Sequence, residues 1–164
     1  MSRRCDYIRK EYTVAEAAYM AGIMDGEGTF YIGNYSGNRK NGDKHYQTVI
    51  AICSTDKCLI DWLFEIFGGS TRQYTPNQMA KNARKQVYRW QATSNRLTHI
   101  CKEILPYLVI KRRQCEIMIE IRSTYNDLHN IKGRQHVQNL PKGILELRQK
   151  LMDELRFLHG RSLN

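Results

Sequence analysis

Apolar and polar positions recur with two different periods along this chain of 164 residues, and the changes of period predict its elements. A first helix starts at Thr13, where Thr13-Val14-Ala15-Glu16 has the spacing of a capping box. Its apolar positions run to Met24, and Gly26 and Gly28 end it. From Thr29 to Tyr35 the period falls to two, with Phe30 and Ile32 on one face and Tyr31, Gly33 and Tyr35 on the other. A polar, glycine-containing turn over 36–44 leads into a second alternating run, Tyr46 to Ser54, with Ile50 and Ile52 inward. The helical period returns from about Asp56 to Phe67, through Leu59, Leu63, Ile66 and Phe67, and Gly68-Gly69 closes it. Two more strands follow, near Ser70 to Thr75 and over Val87 to Thr93. In the second of these, Tyr88 and Trp90 share one face and Arg89 and Gln91 the other. Asn95 is a candidate cap for a helix carrying Leu97, Ile100, Cys101 and Ile104 that ends before Pro106. Further helices are predicted from Lys111 to about Tyr125 and from Lys142 to Leu158. The last has an apolar stripe of Ile144, Leu147, Leu151, Leu155 and Leu158. This order, αββαββ and then helices, is an α+β arrangement, and no stretch has the composition of a linker. The expectation is one domain over residues 1–164.

Composition narrows the class. At 41% hydrophobic residues a chain of this length buries a core. No run reaches the ~20 apolar residues that span a bilayer, and the N-terminus lacks the apolar segment of a secretion signal. Five cysteines, without a C-x-x-C pair, read as small packing residues of a reduced, intracellular protein rather than as zinc ligands. Charge changes the picture most. Twenty-six Lys and Arg against sixteen Asp and Glu give +10, which points to a polyanionic partner. Ten tyrosines accompany the basic residues, and no strongly basic amphipathic helix stands out, so nucleic acid is favoured over a membrane.

The end of the first helix carries candidate chemistry. Ala18, Gly22 and Gly26 recur every four residues and share one helix face. Such a stripe suits close approach of a second helix, or simple packing on the chain's own sheet. Gly22 inside a helix costs about 1 kcal/mol relative to Ala, which close helix contact would offset. Asp25 and Glu27 stand where the helix dipole is already negative. A divalent cation is the natural compensation, since carboxylates and helix-end carbonyls are hard ligands suited to Mg²⁺. By itself, Asp-Gly-Glu-Gly also fits a solvated acidic turn.

The whole string Met20-Ala21-Gly22-Ile23-Met24-Asp25-Gly26-Glu27-Gly28 resembles the signature of the LAGLIDADG homing endonucleases. The resemblance continues through Ile52-Cys53-Ser54-Thr55-Asp56-Lys57, Trp62-Leu63, Phe67-Gly68-Gly69, Tyr88-Arg89-Trp90-Gln91 and Pro106 to Lys111, and covers residues 14 to 125. It implies an αββαββαα fold. A curved four-stranded antiparallel sheet forms a DNA-binding saddle, and helices cover the sheet's other face. It also implies a site-specific endonuclease making double-strand breaks with short 3′ overhangs in a long, pseudo-palindromic DNA site. Glu27 is then the metal ligand, joined by the Gly26 carbonyl, and Asp25 terminates and caps the helix. Lys111 borders the active site and steadies its water, and Asp56 contacts that water or caps the second helix. Ile60 falls where a second basic residue is common in the family, with Lys57 as the candidate substitute. The implied cofactor is Mg²⁺, two or three ions shared between two active sites, with Mn²⁺ or Ca²⁺ as replacements. One motif per chain implies a homodimer through Ala18, Gly22 and Gly26. An intron-encoded organellar gene product, of mitochondrion or chloroplast, is the implied setting. The rivals are an RNA maturase, with RNA as partner, and a non-catalytic DNA-binding protein on the same scaffold. Retention of both Glu27 and Lys111 favours the nuclease.

A strand of ~9 residues spans ~30 Å, so such a sheet can follow a major groove across one half-site. The outward side chains are Tyr31, Tyr35, Gln47, Arg72, Tyr74, Arg89 and Gln91. A slip of one residue in the third strand exchanges Arg72 and Tyr74 for Thr71 and Gln73. Arg pairs with guanine and Gln with adenine. Arg39, Lys40 and Lys44 in the first turn, and Lys81, Arg84 and Lys85 in the second, are candidates for phosphate contacts. Arg112 and Arg113 are candidates for the backbone near the cut. Arg148, Lys150, Arg156 and Arg161, mixed with acids, read as a solvated helix face.

Overall fold

The computed structural model describes residues 11–36, 44–75, 85–132 and 141–160. The capping box forms as its spacing predicts. The Glu16 N–H donates to Thr13 Oγ1 at 3.2 Å, and the Thr13 N–H donates to the Glu16 carboxylate at 2.8 Å. Helix α1 (Val14–Gly26) leads into strands β1 (Gly28–Ser36) and β2 (Lys44–Ser54), then helix α2 (Lys57–Phe67). Strands β3 (Ser70–Tyr74) and β4 (Val87–Thr93) follow, then α3 (Ser94–Ile104), a 3-10 turn at Leu105–Tyr107, α4 (Arg112–Lys132) and α5 (Lys142–Leu158). The four strands make one antiparallel sheet in the order β1-β2-β4-β3. This is the α+β architecture expected from the sequence.

One face of the sheet is core. Phe30, Ile50, Ile52 and Trp90 lie wholly buried there, against Leu63, Phe67, Leu97, Ile100, Met118 and Ile121 from the helices. The Trp90 indole N–H donates to the Gly68 carbonyl at 2.6 Å, so its polar atom is not stranded. The α2–β3 link is tight because Gly68 and Gly69 take φ of +65° and +98°, and a Cβ at Gly69 would sit 2.5 Å from the Gln91 carbonyl oxygen. Only glycine fits that approach.

Pairing settles the third strand. Arg72 lies opposite Arg89 and Tyr74 opposite Val87, which puts Arg72 and Tyr74, not Thr71 and Gln73, on the face away from the core.

Three sequence expectations shift. Asn95 does not cap α3: the N-cap position is Thr93, without a side-chain bond, and Asn95 Oδ1 accepts from Arg122 at 3.2 Å. Helix α4 runs past Tyr125 to Lys132. The buried face of α5 is rotated, with Arg148, Leu151, Met152 and Leu155 inward while Leu147 is 43% exposed. Leu158 is exposed as well. Arg148 is therefore no solvated residue. Its Nε donates to Thr124 Oγ1 at 2.9 Å and its guanidinium lies 3.7 Å over the Tyr125 ring, whose hydroxyl donates to the Tyr46 carbonyl. Burial lowers its pKa from the usual arginine value. The aromatic face takes the place of a carboxylate partner.

Candidate active site and nucleic-acid interface

The end of α1 presents Asp25, Gly26 and Glu27, and β1 begins one residue later at Gly28. A Cβ at Gly28 would stand 2.6 Å from Met24 Cα, so the strand can leave this close to the helix only through glycine. The Glu27 N–H closes the helix on the Ile23 carbonyl at 2.8 Å. Its carboxylate is exposed and makes no hydrogen bond among the described residues.

Helix α1 has no basic residue in its own last turn. Lys111, 87 residues beyond Met24, supplies that charge. Its Nζ donates to the Met24 carbonyl at 2.9 Å and to the Gly28 carbonyl at 2.7 Å. Asp25 answers it: Oδ2 accepts from the N–H groups of Val109 (2.8 Å) and Ile110 (3.2 Å), and Oδ1 from that of Lys111 (2.9 Å). Asp25 thus does not cap its own helix, as the resemblance implied, but the segment entering α4. Burial raises its carboxyl pKa, yet the three amides and the Lys111 charge outweigh this and hold it below the ordinary 3.8. Part of the negative charge at the helix end is therefore met from within the chain.

Asp56 is the N-cap of α2, with Oδ1 accepting from the Cys58 N–H at 2.8 Å. Gly28 pairs with Ile52, so the end of β2 that leads to Asp56 lies at the sheet end where Glu27 and Lys111 stand. Ile60 is core, 2% exposed. Lys57, its candidate substitute, is paired with Asp61 at 2.7 Å. A second basic side chain does not stand at either position facing the site.

Ala18, Gly22 and Gly26 are exposed, and a Cβ at Gly22 or Gly26 would meet nothing within 4 Å. The opposite side of α1, with Ala17, Met20, Ala21 and Met24, packs on the sheet. Among the described residues, the small-residue stripe packs against nothing in the chain.

The sheet's other face is open. The pairing puts Tyr31, Gln47, Arg72, Tyr74, Arg89 and Gln91 on it together; the side chain of the seventh candidate, Tyr35, is not among those described. None of the four strands contains Asp or Glu. Val49 and Ala51 occupy the middle of this face and are nearly buried. Lys85 is exposed just before β4, and position 44 starts β2 at the far end of the sheet. Arg39, Lys40, Lys81, Arg84 and Arg161 lie outside the described residues.

Arg113 departs from expectation. Its Nε and Nη2 hold Glu154 at 2.6 and 3.1 Å, and Nη1 holds Glu120 at 2.6 Å and Glu116 at 3.3 Å. These bonds raise its pKa and tie α4 to α5, so the guanidinium is directed at carboxylates and not at a phosphate. Arg112 donates to the Pro106 carbonyl at 3.2 Å. Sequence reasoning also missed that Val109 and Ile110, 84% and 76% exposed, sit beside the site with their amides held by Asp25. Two apolar residues directly before a basic helix start were the available signal.

No cluster of three or more His, Cys, Asp or Glu occurs among the described residues. What one chain offers a cation is the Glu27 carboxylate and the Gly26 carbonyl. Those donors fit Mg²⁺, which binds through one or two carboxylates and takes further oxygens from a phosphate substrate.

The fold so assembled is that of the LAGLIDADG homing endonucleases. No protein-family model and no curated protein matches the sequence. Among solved structures, the homing endonuclease I-CvuI in complex with its target matches with a TM-score of 0.69 at 16% identity, over 92% of this chain and 87% of that one. The archaeal intron-encoded homing endonuclease I-Vdi141I, complexed with DNA, matches with a TM-score of 0.65 at 17% identity, over 88% and 84%. The LAGLIDADG homing endonuclease I-GzeII, in complex with a DNA target, matches with a TM-score of 0.62 at 17% identity, over 84% of this chain but 43% of its own.

Proposed function

We propose that this chain is one subunit of a homodimeric, Mg²⁺-dependent endonuclease that cuts both strands of a long, nearly palindromic DNA site. One observation carries the reading. Glu27 stands exposed at a helix end fixed by Asp25 and Lys111, at one end of a sheet whose open face bears Arg, Gln and Tyr and no carboxylate. A face without acids suits a polyanion, and Arg and Gln suit base edges in a major groove. The I-CvuI, I-Vdi141I and I-GzeII structures, each holding DNA, support the same assignment.

Dimerisation follows from what one chain lacks. Double-strand cleavage needs a carboxylate at each of two scissile phosphates, and the motif supplies one. The open glycine stripe of α1 lets a second α1 approach, bringing two copies of Glu27 side by side. Glu27 and the Gly26 carbonyl would hold the ion, which supplies an activated water and charge neutralisation at the leaving oxygen. Lys111 fixes the backbone on both sides of Glu27, and Asp56 stands at the same sheet end to orient water.

Duplexes selected from a random pool by the purified protein should be cut on both strands with Mg²⁺ and left whole with chelator. Glu27→Gln should bind them and not cut. Equal cutting by that variant, or cutting in chelator, would refute the assignment.

A further inference from the structure

Arg72 and Arg89 are direct cross-strand partners on the open face. Like charges opposite one another in a ladder are destabilising, and a folded protein keeps them only where something else stabilises the arrangement. Among the described residues nothing does so. Neither arginine has an ion pair or hydrogen bond among the described residues, Arg89 Nε is buried without a partner, and the strands contain no carboxylate. The neighbour of Arg89 across β2 is Cys53, whose thiol burial keeps neutral by raising its pKa. Two guanidinium groups, planar donors in a fixed fork, thus stand on the open face without an acceptor among the described residues.

Register says where that acceptor lies. Gly28 pairs with Ile52, and Cys53 and Ser54 pair with Arg89 and Tyr88. The Arg72–Arg89 row therefore crosses the sheet at the end where Glu27 stands, while Gln47 and Tyr35 lie towards the other end. Both arginines stand on the open face, Arg89 on the inner strand β4 and Arg72 on the edge strand β3. Paired Cα atoms are about 5 Å apart, so the two side chains reach the same base pair or two adjacent ones, which rise ~3.4 Å each.

We propose that Arg89 and Arg72, paired across β3 and β4 and lacking a partner among the described residues, read guanine in the part of each half-site nearest the cut. This deepens the nuclease reading and rests on it. The guanine O6 and N7 edge takes one such fork in two hydrogen bonds.

Selection of duplexes from a randomised pool, with Ca²⁺ to hold DNA uncut, tests it. Wild type should return a two-fold symmetric consensus with guanine fixed at inner positions. Arg89→Ala should lower the preference for that guanine about tenfold or more while keeping the outer positions. Arg89→Lys keeps the charge but not the fork, so it should also relax the inner guanine while holding overall affinity. An inner guanine that persists in both variants, with affinity lowered for every sequence alike, makes Arg89 a phosphate contact and overturns this inference alone. No consensus at all from wild type overturns both readings.

Discussion

Asp25 and Lys111 hold each other's backbone: the carboxylate accepts the Lys111 N–H at 2.9 Å, and the Lys111 ammonium donates to the carbonyls on either side of Asp25-Gly26-Glu27. The pair joins the end of α1 to the start of α4 across more than eighty residues. Removing either side should loosen Glu27 without removing it. Lys111→Met is expected to lower cleavage by about a hundredfold or more and to speed amide hydrogen exchange at Glu27 and Gly28, with DNA binding retained. A hundredfold loss corresponds to ~2.7 kcal/mol, the size of one or two charged hydrogen bonds. Unchanged exchange at those two amides would show that Lys111 acts on the chemistry alone.

Asp25 also makes stability depend on pH. A carboxyl whose folded pKa is depressed stabilises the fold above its ordinary value, and that contribution is lost as pH falls through the folded value. Asp25 lies below 3.8, and Glu154, held by Arg113, lies below 4.5. Wild type should therefore lose stability as the pH drops below about 4. Asp25→Asn should be less stable at pH 7 by about 2 kcal/mol and show a shallower acid decline in urea titrations. Parallel curves for the two proteins would contradict the assigned role.

Glycine positions separate the two faces of α1. Gly28→Ala forces a Cβ to 2.6 Å from the Met24 backbone and should destabilise by more than ~3 kcal/mol, or prevent folding. A Cβ at Gly22 would meet nothing within 4 Å among the described residues, so the Gly22→Leu protomer should fold at least as well. In the homodimer reading, sedimentation should nonetheless show a dimer for wild type and a monomer for this variant. A Gly22→Leu protein that still dimerises would move the interface elsewhere.

Arg113→Ala should cost up to about 1 kcal/mol by unfastening α4 from α5, since solvent screens these half-exposed pairs, and leave DNA binding as it was. The decisive measurement is the salt dependence of DNA affinity. Loss of a phosphate contact reduces the log-log slope by about 1, whereas loss of the Glu154 bridge leaves it unchanged.

Most of the fold was legible because its signals are local. The capping box, the period-two runs and Gly68-Gly69 each sit within a few residues, and β4 and α5 have the predicted bounds. The third strand's register was open from sequence, since Ser70–Tyr74 is short and mostly exposed, and only pairing with β4 chooses Arg72 over Thr71. What stayed hidden depends on distant partners. Asp25 looks like a helix terminator until Val109 to Lys111 are beside it. Arg113 looks free until α5 brings Glu154. Arg148 and Leu147 fit the helical spacing to Leu151 equally well, and nothing local shows that a tyrosine face waits to receive the guanidinium.

The Ser36–Lys44 end of the first hairpin and the Tyr74–Val87 end of the second lie at opposite ends of the sheet. In the nuclease reading, bases far from the cut are then addressed by one hairpin and bases near it by the other. A lineage could drift to a new target by rewriting the remote hairpin, while the arginines near the scission point stay under the constraints of catalysis.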